Sequence, residues 1–222
     1  MKNKISIIFL IIAVSCFAKD KGKGLLYIIK NEKKVEIKIY ERSNSNSKML
    51  AVFTYENKGN GEIVYEINSE RLVEENLIEF EYEEQGIPLC RKYKNWLKVI
   101  YGFEKNGKKL VGWIKYEKQK INYFFWSEHL KSKLLFFESS DKINLYDAIN
   151  GNEVSFKLEP SPYLKYDYIM KPLETKGKWM KVELTTPNDN CDIPNHKRKG
   201  VFWIRYLDDK FSPKVWYFTR GC

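Results

Sequence analysis

The stretch NWLKVIYGFEKNGKKLVGWIKY, Asn95–Tyr116, returns in altered form as KWMKV, Lys178–Val182, followed by GVFWIRY, Gly200–Tyr206. WLKV matches WMKV, and WIKY matches WIRY. The tryptophans fall into two ordered triplets, Trp96, Trp113, Trp126 and Trp179, Trp203, Trp216, with the third member 13 positions after the second in each. The first interval differs, 17 residues against 24, and the excess falls in TPNDNCDIPNHKRKG, which has the composition of a loop insertion. Two ordered sets of this kind signify an internal duplication.

The repeat extends upstream. VEIKIYERSNSNSKM, from Val35, resembles DKINLYDAINGNEV, from Asp141. Each holds an apolar strand ending in Tyr40 or Tyr146, then a polar turn. Val35, Ile37 and Ile39 alternate with Glu36, Lys38 and Tyr40, the pattern of a half-buried strand. Tyr40 lies 56 residues before Trp96, and Tyr146 only 33 before Trp179, so the first copy carries 23 additional residues. These are expected within Thr54 to Glu84. In LIEFEYEE, Ile78, Phe80 and Tyr82 alternate with Glu79, Glu81 and Glu83. KVIY, LVGWIKY, INYFFW, KLLFFE and VWYF add further short β-rich runs, and no segment keeps a helical period over three turns. Closely spaced short strands predict an all-β chain of small sandwiches or barrels. The natural boundary lies near Ser127–Lys133, giving a first domain over 24–130 and a second over 131–222.

Composition agrees with a packed β protein. Apolar residues make up 43% and aromatics 15% of the 222 residues, and planar side chains suit a pleated surface. Residues 1–18 are expected to be a signal peptide. Lys2 and Lys4 precede an apolar run from Ile5 to Val14, which is too short for a bilayer span of about 20 residues. Ala13-Val14-Ser15-Cys16 resembles a bacterial lipobox, which would make Cys16 a lipidated residue. Cleavage after Ala18, with ordinary secretion, is the competing reading. The expected location is the bacterial cell envelope, as a periplasmic protein or a membrane-anchored lipoprotein. The net charge of +10 falls to +8 without Lys2 and Lys4, suiting anionic headgroups, wall polymers or an acidic partner. Export argues against nucleic acid. Lysines that merely keep a β-rich surface soluble explain the charge equally well.

Export permits a disulfide among Cys90, Cys191 and Cys222. Cys191–Cys222 is the expected bridge, tying a polar loop to the last residue of the sequence and leaving Cys90 as a small buried apolar residue. No phosphate loop, zincin helix or G-x-S-x-G elbow occurs. Cys191 and His196 invite a Cys–His nucleophile but lack a third orienting group. Zinc on Cys191, His196 and Cys222 lacks a fourth ligand. The carboxylates Glu74, Glu75, Glu79, Glu81, Glu83 and Glu84 read as a solvated strand face, and the basic turns at Lys105–Lys109 and His196–Lys199 as loop tips. No catalytic residue, metal or cofactor is expected.

An apolar strand ending in Tyr, a polar loop, W-[LM]-K-V and then G-W-I-[KR] resembles the bacterial Src-homology-3-like domain, SH3b. The resemblance covers nearly all of the chain after the signal as two copies. It implies two small SH3-like β-barrels in tandem, of about five strands each, serving as binding modules. In the second copy Val201 and Phe202 separate Gly200 from Trp203, unlike Gly112–Trp113. Trp113 and Trp203 are expected in the thin barrel cores. Trp96 and Trp179 follow polar turns, as groove wall or core edge. With Tyr40, Tyr146, Tyr116 and Tyr206 they form the candidate ligand-binding set, because an aromatic ring offers an apolar face to a ligand. The expected function is non-catalytic binding of a cell-wall peptide, a glycan or a protein segment. The alternative is an inhibitor or immunity-type protein that blocks an envelope-acting toxin or hydrolase through a loop such as Thr186 to Gly200.

Overall fold

A computed structural model of the chain describes residues 23–82, 84–137, 144–155, 168–185 and 198–218. Among them the fold is almost entirely β, and the one helix, α1, is the short Trp126–His129 turn. The segment expected to be a signal peptide, with Cys16, lies outside the described residues, as do Cys191, Cys222 and His196.

The first sheet is built from β1 (Gly24–Ile28), β2 (Lys34–Tyr40), β3 (Met49–Gly59), β4 (Glu62–Asn68), β5 (Glu74–Glu75), β6 (Ile78–Glu81), β7 (Glu84–Tyr93), β8 (Trp96–Phe103), β9 (Lys109–Lys115) and β10 (Ile121–Phe125). Its order is β10-β1-β7-β8-β9-β2-β3-β4, with β5 on β8 and β6 on β7. The second sheet contains β11 (Leu135–Phe137), β12 (Ile169–Lys176), β13 (Trp179–Thr185), β14 (Arg198–Arg205) and β15 (Val215–Trp216), in the order β14-β13-β12-β11-β15. Each sheet is antiparallel and curls into a barrel-like unit.

The register repeats as well as the order. β15-β11-β12-β13-β14 follows β10-β1-β7-β8-β9, and a bridge from Tyr146 to Trp203 stands where Tyr40 of β2 pairs with Trp113. Both β7–β8 and β12–β13 turn over two residues, with Tyr93 opposite Trp96 and Lys176 opposite Trp179. Lys94 and Gly177 take the left-handed conformation those tight turns require, with φ of 50° and 61°. The ladders then slip by one residue at the same place, past Cys90 in one copy and past Leu173 in the other. Cys90 is therefore a half-buried bulge residue rather than a core residue, because a bulge takes it off the regular inward alternation. β4, β5 and β6 all lie between Thr54 and Glu84, where the additional residues of the first copy were expected.

The third tryptophans are not equivalent. Asn122, not Trp126, occupies the position of Trp216: Tyr27 pairs with Asn122 in the first unit, and its counterpart Phe136 pairs with Trp216 in the second. Trp126 opens α1 and is fully buried, whereas Trp216 is 37% exposed. The equal spacing of 13 is coincidental, because the second unit has a longer connection between its last two strands.

Val35, Ile37, Ile39, Ile78 and Phe80 are buried as their alternation predicts. Tyr82 leaves the pattern: β6 ends at Glu81, and Tyr82 is exposed beside Phe218, ring centroids 5.6 Å apart. One apolar cluster lies wholly within the first unit, around Phe53, Leu97 and Ile114. The other joins Leu25, Ile78, Phe80, Trp126 and Leu130 of the first unit and linker to Leu135, Met170, Val182, Ile204 and Tyr206 of the second. The second sheet thus completes its core with side chains from the first, which binds the units together by the burial of shared apolar surface.

Candidate functional site

Strand parity decides which aromatic rings face outward. In β9 the buried residues are Leu110, Gly112 and Ile114, so Val111, Trp113 and Lys115 lie on the opposite face. In β8, Leu97 and Val99 are buried while Trp96 and Lys98 alternate with them. Trp113 pairs with both Tyr40 and Lys98, and Trp96 pairs with Lys115. Tyr40, Trp113, Lys98 and Arg91 consequently form one cross-strand row, with Trp96 and Lys115 in the neighbouring row. Trp113 and its counterpart Trp203 are half-buried members of this outer face rather than core residues. Their size suits a core, but the alternation places them on the other side of the sheet.

The rings contact one another in the same way in both units. Tyr40 meets Trp96 edge to face, with centroids 5.9 Å apart at 85°, and Tyr146 meets Trp179 at 5.1 Å and 84°. Lys98 Nζ lies over the Trp113 ring at 5.8 Å, and Lys181 Nζ over Trp203 at 5.9 Å. Such pairs each contribute about 0.5–1.5 kcal/mol beyond the area they bury, and they fix the orientation of half-exposed rings. Each unit therefore carries a pre-oriented Tyr–Trp–Trp–Lys face on the outside of its central hairpin. A cleft of about 240 Å³ adjoins the first face, lined by Lys38, Tyr40, Lys115, Glu117 and Lys120 among others.

The candidate set divides. Tyr40 with Trp96, and Tyr146 with Trp179, form these faces. Tyr116 and Tyr206 hold equivalent backbone positions, their amides donating to the carbonyls of Asn95 and Lys178. Their side chains have different surroundings. Tyr116 is half-buried, packs edge to face on Tyr123 at 5.4 Å and lies under Lys92 Nζ at 5.7 Å. Tyr206 is 1% exposed within the shared core, where desolvation pushes its hydroxyl up to about 12. Tyr206 is thus removed from the candidate ligand-binding surface, because the shared core covers it. Trp113, Trp203, Lys98 and Lys181 join the site; the signal for them was the in-out alternation ending in Lys115 and Arg205.

Electrostatics distinguish the two faces. In the second, Asp209 Oδ1 accepts from both Lys178 Nζ and Arg205 Nη2 at 2.6 Å, and these cations hold its carboxyl below the usual range. Glu183 pairs with Arg198 at 2.7 Å. The turn carrying Asp209 also reaches the first unit: Lys109 Nζ donates to the Asp209 carbonyl at 2.7 Å, and Lys210 Nζ meets Glu74 at 2.6 Å. Phe211, nearly buried at φ 69°, has the ammoniums of Lys23, Lys109 and Lys178 within 5.0–5.1 Å of its ring centroid. This backbone conformation is rare for a bulky residue and is maintained by these surroundings.

At the junction His129 stacks on Phe124 with centroids 4.1 Å apart, and it contacts Trp126 and Tyr217 edge to face. Its buried Nε2 has no hydrogen-bond partner. Desolvation, then Lys133, lowers its pKa to about 4. The folded chain therefore binds fewer protons here than the unfolded chain. The stability this contributes is present above pH 6.5 and is lost as pH falls from about 6.5 toward about 4. Allowing for partial solvent access, the expected loss is about 1–2 kcal/mol. His129→Phe should flatten that part of the profile in urea titrations across this window; an unchanged slope would assign it to other groups.

Among the described residues no group of three or more His, Cys, Asp or Glu side chains could hold a metal ion, and no helix is long and apolar enough to cross a membrane. No family model matches the chain, and no curated protein or solved structure matches it.

Proposed function

We propose that this chain is a non-catalytic binding protein of the bacterial cell envelope, built from two SH3b-like modules, that recognises a cell-wall polymer on its duplicated aromatic faces. The observation that carries this reading is the recurrence of one surface arrangement, Tyr40–Trp96–Trp113–Lys98 and Tyr146–Trp179–Trp203–Lys181, on two copies of one scaffold. Half-buried rings held edge to face, with a cation over the neighbouring ring, form a rigid amphipathic surface that loses little conformational freedom on binding. Two such faces in one chain suit a repeating ligand, because the second contact forms at a high effective concentration. The five-strand order common to both units accords with the small barrels that the SH3b resemblance implies. Export, with or without a lipid anchor at Cys16, is part of the same proposal.

Co-sedimentation with purified peptidoglycan sacculi tests it. Pelleting that survives high salt supports specific recognition, since purely ionic attraction is screened. Trp96→Ala is expected to weaken binding by about 2 kcal/mol or more, as is Trp179→Ala, with the circular dichroism of the fold retained. No pelleting at either salt would favour the inhibitor or immunity-type reading; most of the loop named for that role, 186–197, lies outside the described residues.

A further inference from the structure

The two faces share a scaffold but differ in charge at matched positions. Arg91 pairs with Lys98 in the first unit, and Glu174 stands in its place opposite Lys181 in the second. Lys115 and Arg205 are likewise equivalent, opposite Trp96 and Trp179. Arg205 is drawn into an ion pair with Asp209, together with Lys178. Among the described residues, no ion pair engages Arg91, Lys98, Lys115 or Lys38 of the first unit. The turn whose Asp209 partly offsets the cations of the second face is itself clamped to the first unit through Lys109 and Lys210. The asymmetry is therefore fixed by the way the units pack.

Resting on the wall-polymer reading, we propose that the first face is an anion-selective saccharide site, taking a sugar bearing a carboxylate or phosphate, and that the second is a less cationic stacking face for the same glycan strand. Tyr40, Trp96 and Trp113 present half-buried rings on the outside of a sheet, beside a cleft of about 240 Å³. That shape suits the flat apolar face of a pyranose better than the alternating side chains of an extended peptide. Lys98 and Arg91 lie in the same cross-strand row as Tyr40 and Trp113, and Lys115 lies beside Trp96. A sugar stacked on the rings would thus have cations at its edge for a pendant anionic group, where charge-assisted hydrogen bonds are strong. Charge complementarity also points this way, since the chain without Lys2 and Lys4 keeps an excess of eight positive charges.

Titration calorimetry of the full chain with three probes tests the assignment: a hyaluronan octasaccharide, a neutral chitin oligosaccharide and poly-L-glutamate, each at low and high salt. Hyaluronan is expected to bind about tenfold more tightly than the neutral oligosaccharide at low salt, with the advantage lost at high salt. The Arg91→Gln, Lys98→Gln double variant should abolish that advantage, Arg91→Lys alone should retain much of it, and Glu174→Gln, which removes the carboxylate opposite Lys181, should widen it. Equal affinity for charged and neutral sugars, or a charge preference that survives the double variant, would overturn the assignment. Tighter binding of poly-L-glutamate than of hyaluronan would replace it with an acidic-peptide site. If the charge advantage fails while sacculus pelleting still depends on Trp96 and Trp179, the asymmetry falls and the wall-binding reading stands. If pelleting ignores both tryptophans, the wall-binding reading falls.

Discussion

Trp126→Ala is expected to lower the stability of the chain by about 3–5 kcal/mol, the range for truncating a fully buried aromatic residue. Trp126 has no exposed surface and lies at the start of α1, between the two sheets. Its ring meets Phe124 at 4.9 Å and Tyr217 at 5.8 Å, so it contacts a strand of the first unit and the end of the second. Its buried indole nitrogen has no hydrogen-bond partner, so truncation removes packing without removing such a bond. The cavity would open in the core that both units share. Urea unfolding should show one cooperative transition for the parent chain. In the variant, the transition should shift to lower urea and separate into two as coupling between the units weakens. A loss under about 1 kcal/mol would mean that the two units do not depend on this shared core.

Gly112→Ala has the second largest expected effect, about 1–3 kcal/mol, with damage to the first aromatic face as well. A methyl group at this position would run into the Ile39 side chain and lie 3.2 Å from the Tyr40 carbonyl oxygen. Ile39 is fully buried and has no room to retreat, so β2 must shift away from β9. That shift breaks the Tyr40–Trp113 pairing which presents both rings. In the second unit Phe202 holds the equivalent position, opposite Val182 as Gly112 is opposite Val99. Thermal unfolding of the variant, together with quenching of its tryptophan fluorescence, would separate the stability loss from the opening of the face. An unchanged melting temperature would refute the close approach of β2.

Much of this architecture was legible in the residues. The alternation of Val35, Ile37 and Ile39 located the inner face of β2, and WLKV with WMKV marked the equivalent strands β8 and β13. Tyr40, Tyr146, Trp96 and Trp179 could be named as candidates from the order of the repeat, but their edge-to-face pairing could not. Other features were hidden for identifiable reasons. Trp113 and Trp203 looked like core residues because of their size, although parity with Lys115 and Arg205 places them outside. Trp126 and Trp216 looked like a matched pair by spacing, but the connections before the last strands differ in length. Tyr206 mirrors Tyr116 in sequence and backbone bonding, yet it lies in the shared core. Burial of that kind depends on long-range packing between the units, which neither periodicity nor motif reveals.

The most direct measurement is sacculus co-sedimentation of the Trp96→Ala, Trp179→Ala double variant at high salt, beside the unaltered chain. The duplicated-face reading requires the unaltered chain to pellet and the folded double variant to remain in the supernatant. Equal pelleting of the two would contradict it.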